Sequence, residues 1–187
     1  MDNRTQAKLY YLYMMSDGEV SSEEKILFTS ICKQLNISTD EKKFIIKECE
    51  NIESDKKSTA LSVLKKNSKN ELFMGDSYLP INSFLNASNK DKGSIFWNLI
   101  NLGYKDGSFS EEEKKIVEFL RKYLEFDKSI ITEMLDTAET MISLTKHMEW
   151  VENNITDEDV KNETLKKSKK ELKYLQDSIN ILISELD

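Results

Sequence analysis

The chain has 187 residues with one proline and five glycines, a composition that suits long helices joined by short loops and argues against all-β and α/β designs. With 27 Lys and Arg against 34 Asp and Glu it carries a formal charge of −7, which removes duplex nucleic acid, bound chiefly by neutralising phosphates, as a default partner. Cys32 and Cys49 match no zinc or redox spacing and no run reaches transmembrane length, so the sequence points to a cytoplasmic protein with buried thiols, peripheral membrane association being left open.

Residues 3–16 read as a helix that is apolar nearly all round (Leu9, Tyr10, Tyr11, Leu12, Tyr13, Met14, Met15), the pattern of a helix at the centre of a domain. Asp17-Gly18 stops it. Ser21 then opens a second helix with Glu24 three residues on, the capping-box pattern. Leu27, Phe28, Ile31 and Leu35 follow at helical spacing. Ser38-Thr39-Asp40-Glu41 opens a third helix carrying Phe44, Ile45, Cys49 and Ile52. A fourth, near 55–67, holds Ala60, Leu61 and Leu64. Residues 68–93 contain the only proline and read as a connection, partly helical around 82–86.

Helix signals resume near Ser94 with Ile95, Phe96, Trp97, Leu99, Ile100 and Leu102. A second Asp-Gly (Asp106-Gly107) follows, then a helix opened by Ser110 with Glu113, then one from about Lys128 to Val151. The last helix begins after Asn153-Asn154, with Thr156 and Asp159 as capping residues. Its Leu165, Leu172, Leu175, Ile179, Leu182 and Leu186 form a heptad-like stripe with Ser168 in one weak slot. That stripe either packs back on the preceding helix or joins another chain, a homo-oligomer through 157–187. The expected fold is all-α, with seven to nine helices.

The stretch SDGEVSSEEK (16–25) returns as KDGSFSEEEK (105–114). At a shift of 89 residues, Asp17, Gly18, Ser21, Glu23, Glu24, Lys25, Lys33 and Leu35 meet their own kind, and the apolar positions stay apolar. The sequence therefore predicts two pseudo-symmetric three-helix repeats, about 3–53 and 94–145, joined by 54–93 within a domain of residues 1–152. A C-terminal amphipathic helix, 153–187, completes the chain.

Asp-Gly-x-apolar-Ser-x-x-Glu matches the second half of an EF-hand loop. Loop positions one and three would be Tyr13 and Met15 in one copy, Leu102 and Tyr104 in the other. Those side chains cannot ligate a hard cation, so an ordinary EF-hand is excluded. Each motif residue also has a structural use: glycine for a left-handed turn, Asp for bonds to nearby amides, Val20 and Phe109 as hydrophobic staples, and Ser with Glu as capping boxes. If the two turns face each other, Asp17, Glu24, Asp106 and Glu113 make a four-carboxylate cluster. Such a cluster calls for a divalent cation or a basic partner to neutralise it.

An apolar helix ending in Asp-Gly, followed by an apolar residue and then Ser and Glu opening a second helix, twice over, resembles the TerB family of tellurite-resistance proteins. It also resembles the TerB-like segment of DjlA-type cochaperones. The resemblance covers about residues 3–145. It implies a non-enzymatic bacterial module tied to chemical stress or phage defence, working with protein partners, its acidic motif binding a divalent cation (Ca, Mg, Mn or Zn) through Asp17, Glu24, Asp106 and Glu113. The long connection and the heptad-bearing helix depart from a minimal TerB domain. The rival expectation is a cation-independent interaction or oligomerisation scaffold acting through the C-terminal helix.

No catalytic pattern stands out: there is no P-loop, no GxGxxG and no HExxH. The single His147, in KHMEW, reads as a structural or surface residue. Trp97 and Trp150 read as core or hairpin anchors.

Overall fold

The computed structural model describes residues 2–18, 20–54, 60–68, 81–105 and 109–186. Among them lie eight α-helices: α1 (Asn3–Met14), α2 (Ser22–Gln34), α3 (Thr39–Ser54), α4 (Ala60–Ser68), α5 (Asn89–Gly103), α6 (Glu111–Tyr123), α7 (Lys128–Asn154) and α8 (Glu158–Ser184). Two 3-10 turns, Met15–Asp17 and Ile81–Phe84, complete the regular structure, and no strand occurs among the described residues. The fold is all-α.

The chain divides into two compact units, Met1–Asp127 and Lys128–Asp187. The division falls inside 94–145, the stretch that the sequence pairs with 3–53. In the first unit α1 is the central element and packs against α2, α3 and α5. Its all-round apolar sequence has this as its cause: Leu9 through Met14 are all buried, so no side of the helix is left for polar residues.

Asp2 caps α1, its carboxylate accepting from the amides of Arg4 and Thr5 at 3.1 Å each. α5 starts five residues before its expected position because Ser88, not a residue near 94, is its cap: the Asp91 amide donates to Ser88 Oγ at 3.1 Å. The connection is more than a linker. Val63, Leu64, Ile81 and Phe84 are buried, and α4 packs against α6 and both 3-10 turns.

Helix bounds recur at the same 89-residue shift. α2 and α6 start at Ser22 and Glu111 and end at Gln34 and Tyr123, and α3 and α7 start at Thr39 and Lys128. Burial recurs too, with Phe28/Val117, Ile31/Leu120, Ile45/Met134 and Cys49/Ala138 all buried. Both α2 and α6 end in a left-handed residue, Asn36 (φ 56°) and Glu125 (φ 53°). The Ile37 amide then reaches Cys32 O at 2.8 Å, and the Phe126 amide reaches Arg121 O at 2.9 Å, the Schellman closure in both copies.

In the second unit the 27-residue helices α7 and α8 pack against each other. The stripe that opens to either a hairpin or another chain in the sequence therefore lies in a hairpin. Of the stripe Leu165 and Ile179 are buried and Leu172, Leu175, Leu182 and Leu186 half-buried; the weak slot is filled by buried Ser168, and Ile183, outside the predicted stripe, is buried where Leu182 was expected. The cap is Asp157 rather than Thr156, accepting from the amides of Asp159 and Val160 at 3.1 Å each.

Candidate cation site at the paired acidic turns

Two contacts fix how α1 meets α5. Asn98 Nδ2 donates to Tyr10 Oη at 3.1 Å. Further along both helices, a Cβ placed on Gly103 would collide with the Tyr13 hydroxyl and the Phe109 ring. Both contacts advance toward the carboxyl ends of both helices, so those ends come together. Glycine at 103 is what permits the approach. Tyr10 sits in a buried polar group, with Gln6 Nε2 donating to the same hydroxyl at 2.6 Å, and burial pushes its phenol up to about 12 against the opposing hydrogen bonds from Asn98 and Gln6.

After α1 the chain turns through Met15–Asp17 into Gly18, which takes the left-handed conformation (φ 102°) with its amide on Met15 O at 3.2 Å. Glycine is the residue for that φ. Ser16 Oγ, beside Asp17, is buried with no hydrogen-bond partner among the described residues. The capping boxes then form as the sequence predicts. Glu24 Oε2 accepts from the Ser21 amide at 2.7 Å while Ser21 Oγ accepts from the Glu24 amide at 3.1 Å. In the second copy the same pair of bonds, between Ser110 and Glu113, measures 2.8 and 3.2 Å.

Glu24 and Glu113 are each only 4% exposed. A carboxylate survives burial there because it lies in the first turn of its helix, where backbone N–H groups and the helix dipole favour negative charge. The structure thus gives two of the four predicted ligands an anchored position at matching points of α2 and α6. The side chain of Asp17, and Asp106 and Gly107 entirely, lie outside the described residues. Among the described residues no group of three or more His, Cys, Asp or Glu could hold a metal ion.

The staple expectation is corrected for Phe109. Its ring stacks on Tyr104 (centroids 5.0 Å apart) and backs Gly103. A staple needs an apolar residue four positions into the helix, and that position is Lys114. The Phe109–Tyr104–Gly103 arrangement was not legible in the sequence, nor was the buried Ser16 hydroxyl. The glycine's place at the last position of an apolar helix was the one available signal.

Elsewhere Trp97 is buried as expected, whereas Trp150 is 56% exposed and carries the His147 ring at 6.3 Å, so it is a surface residue and not an anchor. Cys32 and Cys49 are buried free thiols, and burial pushes them up to about 11 and about 12. No helix among the described residues is long and apolar enough to cross a membrane.

No family model, curated protein or solved structure matches the chain.

Proposed function

We propose that this chain is a non-enzymatic TerB-like binding module of the cytoplasm, serving a stress-response or phage-defence system, whose paired Asp-Gly turns take a divalent cation. One observation carries the reading: α1 and α5 end side by side, so the segments leading to Asp17 and to Asp106 leave from the same end of the unit. The partial negative charge of those two carboxyl ends is offset by the amino ends of α2 and α6, which start after the same turns, so the acidic side chains set the charge there. Acidic residues gathered at that end repel one another, and a cation relieves the repulsion. The buried hydroxyl of Ser16 is an additional oxygen beside the first turn.

The test is thermal unfolding in EDTA and then in millimolar calcium, magnesium, manganese and zinc. A cation at a hundredfold its dissociation constant adds about 2.7 kcal/mol, which at 2–4 °C per kcal/mol raises the midpoint by about 5–10 °C. The Asp17→Ala, Asp106→Ala double variant is expected to lose that rise while keeping its helix content. No rise with any cation reduces the motif to two capped turns and ends the cation reading.

A further inference from the structure

α8 carries five lysines in eight residues: Lys166, Lys167, Lys169, Lys170 and Lys173. All are exposed. Lys167 pairs with Glu163 at 2.7 Å. The other four have no carboxylate within ion-pair distance among the described residues. Spacings of three, four and seven put Lys166, Lys169, Lys170 and Lys173 on one flank of the helix. Each therefore has a like charge one turn away, an arrangement that opposes helix formation.

Elsewhere lysine is paired at some positions and not at others, Lys25, Lys33, Lys47 and Lys90 being exposed without an ion pair among the described residues. Lys114, Lys115 and Lys161 each pair with a glutamate three residues earlier. A self-repelling quartet in a unit whose eight lysines face thirteen acidic residues is a surface with an anion missing. Lys170 also lies over the ring of Tyr174 at 5.6 Å, and Tyr174 is 61% exposed, which adds an apolar edge to the charge.

We propose that this flank of α8, Lys166, Lys169, Lys170 and Lys173 with Tyr174, docks a short acidic segment of another protein. Length selects that occupant. The band spans about 10 Å of helix; Glu171 falls within it but off the lysine flank by helical spacing, and acidic residues lie beyond both ends, Asp157, Glu158, Asp159 and Glu163 on one side and Asp177 on the other. A lipid surface or a duplex, being extended and uniformly anionic, would meet those acids as well. A segment of two or three helical turns with carboxylates at one-turn spacing meets only the lysines. This surface is independent of the acidic turns, and its failure leaves the cation reading standing.

The experiment uses the full chain and a fluorescein-labelled twelve-residue peptide with glutamates at positions i, i+3, i+4 and i+7 and one leucine, followed by anisotropy. One variant replaces Lys166, Lys169, Lys170 and Lys173 with glutamine. The control replaces Lys25, Lys33, Lys47 and Lys90, also exposed, and changes the net charge equally. Four exposed pairs predict about a tenfold loss of affinity in the first variant and little change in the control. Equal losses in both variants, or none in either, overturn the proposal. Binding to phosphatidylserine vesicles that the first variant abolishes, or a dimer of the full chain that it dissolves, also overturns it by giving the surface a different occupant.

Discussion

Glu48 shows what a single half-buried charge does in this protein. It sits on α3 and holds two cations of α1: Arg4 Nη2 at 2.9 Å and Lys8 Nζ at 2.7 Å. Burial alone would raise its carboxyl, but the hydrogen bonds from Lys8 and Arg4 outweigh that, and the group titrates below the usual glutamate range. A depressed carboxylate stabilises the folded state above its unfolded pKa and loses that contribution as pH falls through the folded value. Glu48 therefore contributes fully at neutral pH, and its contribution fades below about pH 4.3, the unperturbed glutamate value. Glu48→Gln should lower the midpoint at pH 7, leaving Lys8 without its partner, and should flatten the acid limb of a stability–pH curve. An acid limb identical to that of the parent chain would assign acid sensitivity to other carboxylates.

The same scale explains the two cap residues. Replacing Ser21 or Ser110 with alanine leaves the Glu24 or Glu113 amide without its acceptor, and each change should cost about 1 kcal/mol by denaturant unfolding. The two losses should match, since the geometries do. A much larger loss in one copy would mean that its turn does more than start a helix.

At the scale of elements, the helix ends and the α1/α5 crossing are the points of stress. Asn36 and Glu125 occupy equivalent left-handed positions, and only asparagine suits one. Glutamate there carries a steric cost of about 1–2 kcal/mol relative to glycine. Glu125→Gly should return about 1 kcal/mol of stability, and Asn36→Gly less, because asparagine already tolerates the conformation. Equal gains at both sites would mean that the left-handed strain is not what separates them.

Gly103 is the opposite case. Alanine there meets the Tyr13 hydroxyl and the Phe109 ring, an overpacking that costs about 1–3 kcal/mol. Phe109→Leu in the same chain should recover part of the loss. Destabilisation that survives every reduction of Tyr13 and Phe109 would place its origin outside this crossing.

At the scale of the whole molecule, the buried thiols report on opening. Cys32 and Cys49 are at most 2% exposed, and burial holds both far from the thiolate form. Alkylation at neutral pH should proceed only through opened states, so its rate should rise with denaturant in parallel with unfolding followed by circular dichroism. Fast labelling of Cys49 in native buffer would show that α3 separates from α1 well below the global transition, and fast labelling of Cys32 would show the same of α2.

Much of this was readable in order along the chain because it is local. The capping boxes need only Ser and Glu three apart, and the structure forms both where the pattern stands. Periodicity located the helices, and the all-apolar stretch at 3–16 marked the central one, since a helix with no polar side has no face for water. The recurrence at 89 residues was visible because turn chemistry leaves little choice of residue. Ser88 and Asp157 were missed as caps because several Ser, Thr and Asp residues stand near each boundary, and only the final backbone path selects one.

Tertiary structure alone decided the rest. That α1 and α5 end together follows from a close approach at Gly103, a contact between residues ninety apart that no local pattern encodes. That Trp150 faces outward, that α8 buries Leu165, Ile179 and Ile183 and leaves its lysines outside, and that the connection buries Ile81 and Phe84 are likewise outcomes of packing. The sequence determined the helices and their turns, because hydrogen bonds and caps act within a few residues. Which faces meet was settled by how those helices could bury the most apolar surface at once, which is a property of the whole chain.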